Sequence, residues 1–188
     1  MSDSFINTID LCTALQAVLA ALPYPGATDG SPLFESVAFY PNKKLGDALA
    51  DLIIVKQRVC LIVPGGDSYH NVREGRTVRS HRTTTLDLLI ADRAYVKGGQ
   101  PAVFGGSSNL GVLAMKDLVV AALAANPQLA TGSPLVAMPW ITLQPEQGAE
   151  ITVTEQNAKD TPGRECWVQN YSTPAGQVVL TPTLPWSQ

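Results

Sequence analysis

Charge is what this chain has least of. Asp, Glu, Lys and Arg make up 15% of its 188 residues, well under the roughly 25% of ordinary soluble domains. The formal net charge of -3 excludes a protein that coats nucleic acid through its overall field. Uncharged Thr, Ser, Gln, Asn, Gly and Pro must cover much of the surface. Such a surface is cheap to desolvate against a partner, which favours an interaction protein. Histidine is scarce at two residues, and the three cysteines, Cys12, Cys60 and Cys166, are odd in number and far apart. That spacing fits neither a secreted disulfide framework nor paired zinc ligands. It leads us to expect synthesis in a reducing cytosol. No apolar run is long enough to span a bilayer, and Met1-Ser2-Asp3-Ser4 lacks the basic and apolar regions of a signal peptide. The expectation is a chain neither exported by that route nor embedded in a membrane.

Apolar residues are not scarce, at 45%, and a chain of this length can bury a core without staples. Leu11, Leu15, Val18, Leu19 and Leu22 recur at helical spacing and predict an amphipathic helix. Asn7 or Thr8 would cap it and Pro23 would stop it. A Pro- and Gly-rich loop follows, then a strand over Phe34 to Tyr40 and a short helix from Lys44 to Leu52. Val59 to Val63 is a continuous apolar run that reads as a strand buried on both faces and central in a sheet. Pro64-Gly65-Gly66 reads as the turn that closes it.

After a polar stretch from Asp67 to Gly75, Thr77 to Asp92 predicts a long strand, polar at its start and buried near its end. A second helix is expected after a Gly-rich loop, capped by Ser107 or Ser108 and stopped at Asn126-Pro127. Its Val112, Met115, Val119 and Leu123 share one face, and Leu113, Leu118 and Val120 widen the apolar surface. Past Pro134, four short strands near 140–143, 150–154, 166–169 and 177–180 suggest an antiparallel meander. The fold class is therefore α/β in the α+β sense: a mixed, largely antiparallel sheet packed by two main helices, with a C-terminal antiparallel strand set. We expect one domain over residues 1–188, with a core in 9–135, C-terminal strands in 136–181 and an extended tail in 182–188.

Catalytic patterns do not assemble. His70 and His81 lack the short paired spacing of metal ligands and read as ordinary surface histidines. Gly65-Gly66-Asp67-Ser68 follows a buried strand but lacks the Gly-x-Ser-x-Gly elbow. Gly105-Gly106-Ser107-Ser108-Asn109 opens a helix where a phosphate could sit, yet has no Walker lysine. We expect no catalytic residue, no metal and no cofactor. The alternative is a small enzyme or ligand-binding domain whose site comes from residues distant in sequence.

One cluster stands out. Arg73, Arg76, Arg79 and Arg82 recur every third residue, four of the 13 basic residues within ten positions. They read either as a solvated strand edge or as a surface for an acidic partner, a neighbouring protein or passing DNA.

The element order, with Leu61-Ile62-Val63-Pro64-Gly65-Gly66, Arg82-Thr83-Thr84-Thr85-Leu86-Asp87-Leu88-Leu89-Ile90 and the apolar helix Val112 to Leu123, resembles the tail-terminator or tail-completion proteins of long-tailed bacteriophages. The likeness is one of architecture over about Ile9 to Leu180, since that family has no diagnostic motif. It implies a structural virion protein that closes into a homo-oligomeric ring, usually of six, on the end of a tail tube. Such a ring stops tube growth and offers a surface for head-tail joining. The implied partners are other copies of the chain, the tail tube protein and a neck or connector protein, with DNA passing through and no membrane. The implied place is the phage tail, after assembly in the host cytoplasm. Other neck and head-completion proteins form rings too and are the nearest alternatives.

Overall fold

The computed structural model describes residues 8–39, 58–74, 77–93, 104–106, 110–130, 143–152, 164–173 and 178–180. Helix α1 spans Thr8–Ala20 and buries Leu11, Cys12, Leu15, Val18 and Leu19, the stripe its spacing predicts. Strand β1, Ser36–Phe39, lies parallel to β2, Arg58–Glu74, with Val37 opposite Cys60 and Phe39 opposite Ile62. Strand β3, Thr77–Arg93, returns antiparallel to β2. Helix α2, Val112–Ala125, follows. Strands β4, Gln144–Thr152, β5, Arg164–Ser172, and β6, Val178–Leu180, complete the sheet. The order is β1-β2-β3-β5-β4, with β6 also on β3. One parallel pair among antiparallel ones, with two helices among the described residues, is the mixed α+β class expected.

Both helices pack on one face of the sheet. Cys60 and Ile62 of β2, Leu86, Leu88 and Ile90 of β3, and Tyr171 of β5 form one cluster with the buried sides of α1 and α2. Burying a side chain of this size contributes about 1.5–3 kcal/mol. The opposite face is buried along the same stretch, with Val59, Leu61, Leu89 and Ala91 at 2% exposure or less. Of the run 59–63 read from the sequence as buried on both faces, 59–62 is so covered and flanked by β1 and β3, while Val63 is half-buried. Gln16 donates to the Val37 carbonyl at 2.8 Å and ties α1 to β1.

Several local readings are corrected. Pro64-Gly65-Gly66 does not end the strand. It forms a bulge between Pro64 and Asp67, and β2 runs on to Glu74 through the supposed polar excursion. The C-terminal strands are no separate meander. Strand β5 lies between β3 and β4, and β6 pairs with Ser80 to Arg82 of β3 rather than with β5. Residues 140–142 of the predicted strand 140–143 and the predicted helix at 44–52 lie outside the described residues. The N-cap of α2 is Gly111, at φ 81 with no side-chain cap; Ser107 and Ser108 lie outside the described residues. A Cβ at Gly111 would come within 2.2 Å of the Gly105 backbone nitrogen, so packing as well as φ selects glycine there.

Candidate interaction site

The bulge organises the most unusual part of the molecule. A bulge adds one residue to one strand, which reverses which side chains face the helices from there on. Before it, Ile62 lies opposite Leu88 and Pro64 opposite Leu86; after it, Asp67 lies opposite Thr84 and Tyr69 opposite Arg82. The shift brings Asp67 onto the helix side beside Arg82. Gly65 permits it, since a Cβ there would sit 2.3 Å from Thr85 Oγ1 and 2.8 Å from the Thr85 carbonyl oxygen.

Asp67 accepts from the Thr84 hydroxyl at 2.8 Å and pairs with Arg82 at 2.9 Å. Arg82 also donates to Thr8 Oγ1 at the first turn of α1. On the far side of β3, the Thr84 N–H donates to the Thr173 hydroxyl at 2.9 Å and the Thr84 carbonyl accepts from the Thr173 N–H at 3.0 Å. Arg82 is 5% exposed, and a buried guanidinium is tolerated only with its charge met. The residue therefore belongs to a junction that pins the helix to the root of the hairpin.

The predicted arginine cluster is accordingly divided. Arg82 is buried in that junction, so it is not part of an exposed basic face. Arg73 is exposed on β2. Position 79 pairs with Val72, three residues from 82 on the same strand, so by strand alternation the two positions fall on opposite faces. Arg76 lies outside the described residues.

Beyond the bulge the hairpin leaves the body. Its strands pair as far as Glu74 and Thr77, and eight residues of β2, 67–74, extend about 25 Å at strand rise. On its β3 side, β5 stops at Thr85 and β6 covers only Ser80 to Arg82. Pro64 through Asn71 are all exposed, including Tyr69 at 55%. Strand side chains point alternately to the two faces, so β2 meets solvent on both faces over this stretch, while Arg82 and Thr84 of β3 stay buried at the root.

At its root lies an open apolar cleft of about 230 Å³, lined by Thr8, Ile9, Cys12, Phe39 and Pro64. Ile9 is 69% and Phe39 40% exposed. Sequence reasoning missed this cleft, although Ile9 off the buried stripe of α1 was a signal for it. Burial pushes the Cys12 thiol up, which keeps it protonated and a poor nucleophile. A second, polar cleft is lined by the 24–31 loop and Arg58. There Arg58 stacks 4.7 Å over the Tyr24 ring and donates to the Leu33 carbonyl at 2.8 Å, so it serves to fasten the loop. Among the described residues no group of three or more His, Cys, Asp or Glu is placed to hold a metal ion, and no helix is long and apolar enough to cross a membrane.

No family model matches the chain, and no curated protein matches it. Among solved structures, a chain from the "Virion of native gene transfer agent (GTA) particle" is 14% identical, with 92% of this chain and 100% of that chain covered and a TM-score of 0.37. That is a distant likeness to a component of a virion particle. At this TM-score it carries no argument about fold or role.

Proposed function

We propose that the chain is a structural protein of a phage-like virion rather than an enzyme, and that its copies close into a ring at the end of a tail tube. The observation that carries this reading is the ribbon beyond the bulge, whose β2 strand is exposed from Pro64 to Asn71 and which is rooted beside an open apolar cleft. Beyond the three residues that β6 covers, the ribbon is two-stranded and has little stability of its own, and clustered exposed apolar side chains mark contact surfaces. An arm at one place and an apolar cleft at another suit head-to-tail contacts between copies. Such contacts close into rings when the rotation permits.

Charge supports the same reading. With the buried Asp67–Arg82 pair set aside, residues 67–84 hold Arg73, Arg76 and Arg79 against Glu74, while the whole chain is at -3, so the rest of the chain is more acidic still. An arm biased to positive charge fits an acidic neighbour, here a second copy. Tail termination, a ring of six, contacts with tube and neck proteins, and a lumen that passes DNA are the finer form of the proposal. Assembly in the host cytoplasm and residence in the phage tail follow from it.

The test uses two exposed residues whose change spares the fold. Arg73→Glu alters an exposed charge of the kind that contributes little to stability, and Ile9→Asp adds an acid to the first turn of α1, where the helix dipole favours it. Sedimentation over a concentration series, with electron microscopy of the chain bound to tail tubes, should show rings for the unaltered protein and folded monomers for both variants. A chain that forms no ring at any concentration or on any tube contradicts the proposal, as do rings unaffected by both substitutions.

A further inference from the structure

We propose that the apolar cleft at the root of the ribbon receives Phe104 of a second copy, so that Phe104 and the cleft are the two halves of the head-to-tail contact. This rests on the ring reading above and adds which surface meets which. The exposed large apolar side chains among the described residues are Ile9, Phe39, Tyr69 and Phe104. Ile9 and Phe39 line the cleft. Tyr69 lies opposite Arg82, whose guanidinium reaches Thr8, another lining residue. Phe104 stands apart from these three, and at 74% it is the most exposed of the four.

Its own cleft is out of reach. Past the end of α2, the Leu143 N–H donates to the Pro127 carbonyl at 3.4 Å, and the next residue, Gln144, pairs with Ser172, which lies opposite Thr85 beside the bulge. The C-terminal end of α2 is therefore level with the cleft. Phe104 sits at the other end, a helix of 14 residues or about 21 Å away. There its mount is fixed, since a Cβ on Gly111, the N-cap of α2, would come within 2.8 Å of the Phe104 carbonyl carbon. Size and charge both suit the pairing. The cleft holds about 230 Å³, and an apolar cavity of about 150 Å³ accepts a benzene ring. Beside Phe104 the N-terminal end of α2 carries partial positive charge and has no acidic residue in its first turn. Beside the cleft Asp10 is exposed in the first turn of α1. Seating Phe104 brings these opposite charges together, so charge guides the approach and apolar burial supplies the affinity.

The test is disulfide trapping between full-length copies on tail tubes. Ile9→Cys and Phe104→Cys are made in separate chains, mixed, and treated with oxidised glutathione. Mass spectrometry of the linked peptides should show position 9 of one chain bonded to position 104 of the other. A bond from position 104 to the native Cys12 reports the same seat, because Cys12 lines the cleft. As a second variant, Phe104→Ala should stay folded by circular dichroism and raise the concentration needed for rings about tenfold or more. Rings in the unaltered protein with neither bond in the mixture, or rings unmoved by Phe104→Ala, overturn this pairing and leave the ring reading standing. A protein that forms no ring under any condition overturns both.

Discussion

Val59 to Ile62 and Asp67 to Asn71 belong to one strand and share β3 as a partner, yet their surroundings differ sharply. The first stretch is 0% exposed, flanked by β1 and β3 and covered on both faces. The second is exposed on both faces and, among the described residues, has β3 as its ladder partner. Secondary structure is thus the same in both, and stability is not. In the first, packing sets the conformation; in the second, little but the hairpin register does. Elements of low local stability are where binding and ordering events concentrate, and the bulge at Pro64 to Asp67 marks the border between the two regimes.

The largest effect should separate the two halves directly. Ile62→Ala, in the main core at 0% exposure, should cost about 2–5 kcal/mol, while Tyr69→Ala, at 55% exposure, should stay within about 0.5 kcal/mol. Denaturant titration of both variants checks this. Equal losses would mean the ribbon is part of the core. Next is the border itself. Asp67→Asn removes the carboxylate that meets the buried Arg82 guanidinium at 2.9 Å. Truncating one partner of a fully buried pair costs about 3–5 kcal/mol. The Asp67 side chain is 30% exposed, so a loss of about 2 kcal/mol is expected after solvent screening. Arg82→Met with Asp67→Asn should recover part of it. Gly65→Ala should cost about 1–3 kcal/mol, because its Cβ would meet the Thr85 backbone oxygen at 2.8 Å; thermal unfolding reads that change.

The smallest effect lies deep in the core and has the opposite sign. The Tyr171 hydroxyl is buried and finds no hydrogen-bond partner among the described residues. Burial, with a smaller contribution from Cys60, pushes its ionisation upward. Tyr171→Phe removes an unsatisfied polar group and should leave the protein as stable or up to about 1 kcal/mol more stable. A loss of 2 kcal/mol or more, above the usual worth of one hydrogen bond, would reveal a partner for that hydroxyl.

Much of the base was legible in sequence, because burial imposes a period. The stripe Leu11, Leu15, Val18 and Leu19 and the apolar run 59–62 both end up buried where their patterns put them. The ribbon was less legible for the same reason, since with no buried face it has no alternation to read. Glycine and proline usually punctuate chains, and here they mark a bulge that keeps the strand going. The arginines mislead through their spacing of three, which matches no strand face and divides the cluster between faces. Asp67 and Arg82 are fifteen residues apart, and only a register that includes the bulge makes them neighbours. The pairing of β6 with β3 rests on tertiary placement and has no local signal.

The most direct test of the central claim, that the ribbon is a docking element on a stable base, is amide hydrogen exchange along β2 and β3. It should be measured on dilute monomer and on the assembled ring. Residues 59–62 and 88–91 should exchange slowly in both states. Residues 67–74 and 77–83 should exchange fast in the monomer and slow markedly on assembly. A ribbon already as protected as the base in the monomer, or one whose exchange is unchanged by assembly, would contradict the account.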